Sequence, residues 1–254
     1  MSAFFKKENA IVYEGARIGS NTVIDVGAII YPNVIIGDNC YIGPYSIIGS
    51  PTADYYKNSN NHIFNKTIIG SNSVIRSNTI IYEDCNIGCN FQTGHHVTIR
   101  EKSIIGNNCS VGTFSDIQGR VTIGEFVRLH SNVHLGMGTI IEDYVWLFPY
   151  VLTTNDMYPP HDKLEGCKIK KYAIVGASTI LLPGKIIGAN TFIGAGSLVS
   201  KDIPDNMFAL GRPAVPQKRI EEIKDKEGNF LYPWKKYLEE YRGYPWQSEN
   251  SLGR

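Results

Sequence analysis

The sequence predicts an all-β chain wound as a triangular parallel solenoid, and three observations carry that prediction. First, aliphatic residues recur every six positions: from Val12 to Ile42, from Ile69 to Leu147, and from Val175 to Val199. In those runs 24 of 25 lead positions are Ile, Leu or Val, and Thr93 is the exception. Second, the fourth residue after a lead is small, as at Ala16, Thr22, Ala28, Ser73, Ser115 and Ser197. Third, Gly follows many leads directly, as in Ile18-Gly19, Ile36-Gly37, Ile105-Gly106 and Ile193-Gly194. A period of six fits neither a helix, at 3.6, nor a two-sided strand, at 2. Each hexad therefore reads as a short strand plus a corner. Three hexads make an 18-residue coil, and neighbouring coils pair as parallel strands about 4.8 Å apart. The lead residues fill the interior, the small residues fit the corners, and Gly relieves the backbone at the turn. Twenty-five hexads make roughly eight coils.

The solenoid is assigned to residues 1–214, with loops at 49–68 and 153–173. From Ile48 to Ile69 is 21 steps, three more than a coil, and the intervening tract 50–66 is polar. From Leu147 to Val175 is 28 steps, which predicts a second excursion. Loops thrown out from a rigid scaffold are where function concentrates. The hexads stop near Pro204. Beyond Gly211-Arg212-Pro213-Ala214, residues 215–254 are expected to form a C-terminal helix, on the spacing of 217–226, and an aromatic tail. The tail, with Tyr232-Pro233-Trp234 and Tyr244-Pro245-Trp246, reads as a cap or a strap on a neighbour. Cys40, Cys85 and Cys109 fall in the small inward slot and are expected in the core.

Composition narrows the function. Lys and Arg total 25 against 24 Asp and Glu, so no basic excess exists to neutralise nucleic-acid phosphates. No apolar run approaches the roughly 20 residues of a membrane span. The start, MSAFFKKENA, lacks the apolar stretch of a signal peptide, which points to a cytoplasmic chain. Five cysteines, an odd number, argue against a disulfide framework. Cys85 and Cys89 alone do not complete a four-ligand metal set, so no metal is expected.

Positions one coil apart stack vertically, so outward residues form columns. One column reads Thr98, Asp116, His134, Leu152. Asp116 and His134 are thus expected side by side, the pairing that fixes an imidazole tautomer and raises its basicity. Arg100, Gln118 and Asn155 fall on the same face. A second cluster, His95-His96, lies at a corner beside Thr93, where paired His suit a base, a phosphate contact or a metal ligand. Plain surface hydrogen bonding is the alternative for both clusters.

The hexads, the loop after Leu152 and the Gly211-Arg212-Pro213-Ala214 ending resemble the hexapeptide-repeat acyltransferases over about residues 9–215. The resemblance implies a left-handed parallel β-helix. Within that superfamily, Thr154-Asn155-Asp156 followed by Tyr158-Pro159 is similar to a stretch of nucleotide-sugar N-acyltransferases. The same resemblance implies a homotrimer with sites in the clefts between subunits. It also implies acetyl-CoA or another acyl-CoA as co-substrate. The implied acceptor is a nucleotide-linked amino sugar, for lipopolysaccharide or another surface glycan. Asn155 would contact the sugar or the acyl carbonyl, with Asp156, Arg100, Glu101 and His96 on the substrate side. Gly176, Ala177, Gly194 and Ala195 leave room for the pantetheine arm, and Lys201 and Arg212 would pair with coenzyme phosphates. Two departures stand out. The hexad before the loop holds no His, and Arg212 replaces the usual Asn of the ending. The base is then His134 oriented by Asp116, or His95, which sits two residues after its lead as in lipid A-type enzymes, or no side chain. Rival expectations are a sugar O-acetyltransferase, a metal-dependent hydratase and a non-catalytic trimerisation solenoid.

Overall fold

The computed structural model describes residues 4–160 and 162–228. They wind into three sheets, which form the faces of a triangular prism and are parallel throughout except at the last strand of face 1. Face 1 has 12 strands, from Phe5–Lys6 to Ala214–Arg219. Face 2 has 10, from Ile11–Val12 to Leu198–Val199, and face 3 has 9, from Arg17–Ile18 to Ile186–Ile187. The solenoid is longer than the eight coils expected. Phe5–Lys6, Lys168–Ile169 and Met207–Gly211 add rungs beyond the uninterrupted runs.

The lead residues form one continuous core. Ile24, Ile30, Ile42, Ile75, Ile99, Ile117 and Leu135 are fully buried. The small slot behind them is also buried, and its polar atoms are used. Thr22 Oγ1 donates to the Gly37 carbonyl at 2.8 Å, Ser73 Oγ to Gly70 at 2.7 Å and Ser197 Oγ to Gly194 at 2.6 Å. Small hydroxyls recur there because each corner turns a carbonyl inward, where an unpaired acceptor is costly. Cys40, Cys85 and Cys109 occupy the same slot as buried thiols outside any disulfide.

Glycine has a different task from the one expected. Except at Gly49, the Gly after a lead is not the residue in the left-handed region. That residue comes two places later: Asn21, Asn39, Asn72, Asn90 and Asn108 all have φ between +56° and +60°. Asn tolerates this region better than other side chains. The Gly instead permits close coil contact: a Cβ on Gly70 would lie 2.5 Å from the Cys89 nitrogen in the next coil. On the corner between faces 3 and 1 the Asn side chains bond in a ladder, Asn21 to Asn39 at 3.2 Å and Asn90 to Asn108 at 3.1 Å. Along the same corner, aromatic rings then replace them: Phe126 stacks on Tyr144 at 4.8 Å and Tyr144 on Tyr172 at 5.2 Å.

Both loops are shorter in extent than predicted. Ile30 pairs with Ile48, one coil on, but Ile48 pairs with Ile81, so most of a further coil leaves the solenoid between them. The chain departs after Ile47–Ser50 and returns at Thr67–Ile69. This loop is fastened by the buried Glu83 carboxylate, which accepts from the backbone of Thr52 at 3.1 Å and of Asn65 at 2.7 Å. The second loop lies between Leu152–Thr153 and Lys168–Ile169. Ile141 pairs with Ile169 across it, so the strands on either side stay in phase. Residues 168–173, assigned to the loop from sequence, belong to the solenoid: Ile169 and Ala173 are fully buried.

The predicted helix at 217–226 does not form. Ala214–Arg219 pairs antiparallel with Met207–Gly211, and a single 3-10 turn, Ile220–Glu222, follows. An open sheet edge offers unpaired backbone groups to the next segment, and Ala214–Arg219 satisfies them by pairing with Met207–Gly211, which takes Gln217, Lys218 and Arg219 out of the expected helix. The aromatic tail from Tyr232 to Trp246 lies outside the described residues.

Candidate active site

Face 2 carries an outward column that is apolar at both ends and polar in the middle. Ile11, Ile29, Ile47 and Ile80 precede Thr98, Asp116 and His134, and Leu152, Ile180 and Leu198 follow. Strand pairing aligns Thr98 with Asp116 and Asp116 with His134, as the coil spacing predicts. His134 Nδ1 stands 3.1 Å from Asp116 Oδ2, and Gln118 Nε2 donates to the same oxygen at 2.6 Å. The hydrogen bond from His134 holds the Asp116 carboxyl below the usual range, opposed by partial burial and helped by Gln118 and the Arg100 charge. With Nδ1–H given to Asp116, Nε2 is the ring nitrogen left to accept a proton.

Arg100 and Glu101 extend the cluster. The guanidinium meets the Glu101 carboxylate through two bonds of 3.0 Å and lies 5.3 Å from the Tyr82 ring centroid. Arg100 thus commits its fork to Glu101 and reaches Asp116 through its field. Asn155 opens the second loop. Its carbonyl accepts from Glu165 N at 2.8 Å, and its Cβ lies 3.4 Å from where a Gly136 Cβ would stand. That seats Asn155 against the strand end of His134, one coil on. Asp156 Oδ1 accepts from Tyr158 N at 3.0 Å and shapes the loop. Asn155, Met157, Tyr158, Lys163, Glu165 and Lys185 border a cavity of about 240 Å³.

His95 and His96 sit apart from this group, at the corner between faces 1 and 2. His95 Nδ1 is 2.8 Å from Ser77 Oγ. His96 has φ +54° and stacks on Phe114 at 5.0 Å, an ordinary corner packing. His95 borders a cavity on face 1 with Arg76, Arg128 and His130. Sequence reasoning passed over these arginines. The available signal was Thr93, the one polar lead: its buried Oγ1 accepts from Arg76 N at 2.9 Å, and the Arg76 guanidinium donates to its carbonyl.

The residues expected near a coenzyme lie on the later coils. Gly176 N donates to Ile193 at 2.8 Å and Gly194 N to Ala209 at 2.8 Å, so both amides are committed to the coil ladder. A Cβ on Gly176 would meet Ala195 N at 2.6 Å, which makes Gly176 a coil-contact residue. Ala177 is half-buried, and Ala195, Lys201 and Arg212 are exposed. Among the described residues no group of three or more His, Cys, Asp or Glu is placed to hold a metal. No described helix is long and apolar enough to cross a membrane.

Comparison with known proteins agrees with this architecture. Residues 9–50 match the family description "Bacterial transferase hexapeptide (six repeats)" and residues 185–206 match "Hexapeptide repeat of succinyl-transferase". Galactoside O-acetyltransferase of Lactococcus lactis is 35% identical over 114 residues, which cover 36% of this chain and 55% of that protein. The chain therefore spans about half the length of that relative. The dTDP-3-amino-3,6-dideoxy-alpha-D-galactopyranose 3-N-acetyltransferase of Aneurinibacillus thermoaerophilus is 48% identical over 46 residues, 18% of this chain and 24% of that one. Among solved structures, Arabidopsis UDP-N-acetylglucosamine acyltransferase superposes with a TM-score of 0.67 at 20% identity, covering 84% of this chain and 73% of that one. That likeness is one of fold, the left-handed parallel β-helix.

Proposed function

We propose that the chain is a hexapeptide-repeat acyltransferase that moves an acyl group from acyl-CoA to the amino group of a nucleotide-linked amino sugar. The single observation that carries this reading is the His134–Asp116 pair standing beside the Asn155 loop. His134 Nε2 takes the proton of the attacking amine as the C–N bond forms. The thioester C–S bond breaks, and the departing thiolate receives that proton from the imidazolium. Asp116 holds the ring and stabilises its charge. Asn155 orients the sugar or the acyl carbonyl. The apolar ends of the face 2 column, half-buried at Ile29, Ile47, Leu152 and Ile180 and exposed at Ile11, support a threefold assembly, in which a neighbour walls the cleft. Ile11 is 45% exposed there.

O-acetylation of a sugar is the second reading, favoured by the Lactococcus relative. One assay separates them: acetyl-CoA with dTDP- and UDP-linked amino sugars in one set and unmodified galactosides in the other, products read by mass spectrometry. Amide formation on a nucleotide-linked amino sugar is the expected result. Acetylation confined to sugar hydroxyls would replace this reading with the second, and no thioester turnover with either set would remove both.

A further inference from the structure

Two donors end on one oxygen of Asp116. His134 Nδ1 reaches Oδ2 from the next rung at 3.1 Å, and Gln118 Nε2 reaches it from two residues further along the chain at 2.6 Å. The backbone under Gln118 is fixed on both sides. Its N–H donates to the Leu135 carbonyl at 3.0 Å, and its own carbonyl accepts from Ser103 Oγ at 3.3 Å. The half-buried amide is therefore presented from a rung tied to the strand that carries His134. Arg100, one rung earlier in the same column, spends its fork on Glu101 and leaves this place to a neutral group.

A carboxylate turns easily, because its terminal torsion is broad and two-fold. One bond from an imidazole leaves it free to exchange oxygens, and leaves the ring free to exchange tautomers. A second donor on the same oxygen removes that freedom. A guanidinium would orient the carboxylate equally well, but its charge would oppose the imidazolium that forms as His134 takes a proton. An amide donor orients without that opposition.

We propose, on the reading that His134 is the base, that Gln118 is a positioning residue: it clamps Asp116 so that the His134 proton stays on Nδ1 and Nε2 stays open to the attacking group. Gln118 acts through Asp116 and need not touch either substrate. The same clamp serves an amine or a hydroxyl acceptor.

The test has one readout that needs no turnover. In the full chain labelled with 15N-histidine, the ring signal of His134 is the one lost in His134→Ala. At alkaline pH it should report the Nδ1–H tautomer, and Gln118→Met, which keeps the length and removes the donor, should give a mixture. An unchanged tautomer in Gln118→Met would overturn the proposal. In kinetics with acetyl-CoA and a dTDP-linked amino sugar, Gln118→Met should lower kcat roughly tenfold with both KM values within about twofold of wild type. Gln118→Glu, which also lacks the donor, should lose at least as much and gives a second variant if Gln118→Met misfolds. Asp116→Ala/Gln118→Met should be no slower than Asp116→Ala alone, since nothing is left to clamp. Losses that multiply in the double variant would make Gln118 act on its own and end the assignment. An inactive His134→Ala beside a fully active Gln118→Met would remove Gln118 alone, whereas a fully active His134→Ala would remove the base and the clamp together.

Discussion

Replacing His134 with Ala should separate rate from stability by a wide margin. The His134–Asp116 pair has side chains 38% and 39% exposed. At that exposure an ion pair or its neutral equivalent contributes about 0.2–1 kcal/mol to stability. Strand pairing at His134 is made by backbone groups and by Leu135 in the core, neither of which the substitution touches. The melting temperature should therefore move by a few degrees at most. Removal of a general base costs about 10²–10⁴-fold in rate, which is roughly 3–5 kcal/mol of barrier. The two effects differ severalfold in free energy. Asp116→Ala removes only the orienting carboxylate, leaves no group that can lock the wrong tautomer, and should cost less in rate than His134→Ala. The assay is kcat at saturating acyl-CoA, followed through loss of the thioester, beside a thermal melt of each variant. His95→Ala belongs in the same series, because His95 is the alternative base. A His134→Ala enzyme with near wild-type kcat would refute the assignment. If His95→Ala were also active, proton transfer would need no side chain.

Further outcomes can be checked on the same protein. Asn155→Ala should lower kcat/KM with little change in melting temperature, since the fold uses the Asn155 backbone carbonyl; normal kinetics with a collapsed melt would make the loop structural. Gly166→Ala should destabilise by about 1–3 kcal/mol, because a Cβ there runs into the Gly138 backbone; an unchanged melt would count against so tight a coil contact. In a thiol titration of the native chain, Cys89 should react first. Burial pushes the Cys85 thiol up to about 12 and Cys167 up to about 11, and Cys40 and Cys109 are buried, so these four should react only on unfolding. The Tyr41 hydroxyl and the Val26 amide hold Asp25 below the usual carboxylate range. Its stabilising contribution is therefore complete above about pH 4 and is lost as pH falls through the lowered value. Asp25→Asn should flatten the acid limb of a melting-temperature profile, and an unaltered limb would remove Asp25 as its cause.

The fold was readable because a solenoid repeats one local solution, so a single offset predicts many contacts. Asp116 and His134 lie inside the longest unbroken run, where the coil spacing holds, and their pairing follows from arithmetic. The coil count did not follow, because the same arithmetic fails across an insertion: Ile48 meets Ile81, beyond the polar tract, rather than a residue one coil on. Glycine was assigned to the wrong constraint for a related reason. Periodicity marks where a small residue is required, but not whether torsion or a neighbouring coil requires it. The Asn residues that recur on the corner between faces 3 and 1 carried the torsional signal instead. The arginine cavity was invisible because it depends on long side chains meeting across rungs near a corner. The columns place Arg128 above Ser110, but they do not show where a guanidinium ends.

The parallel register has a consequence for how such a molecule changes over time. Outward groups stand on a lattice whose axial step is one rung, about 4.8 Å. Loss or duplication of one whole coil slides everything beyond it by one step and leaves each local environment intact. The insertions at 51–66 and 154–167 show the complementary freedom, since strands resume in phase on either side of them. The spacing between the His134 pair and any group on later rungs is therefore adjustable in whole rungs only. Ligands of different length can be matched by changing the number of coils, while finer discrimination is left to the loops.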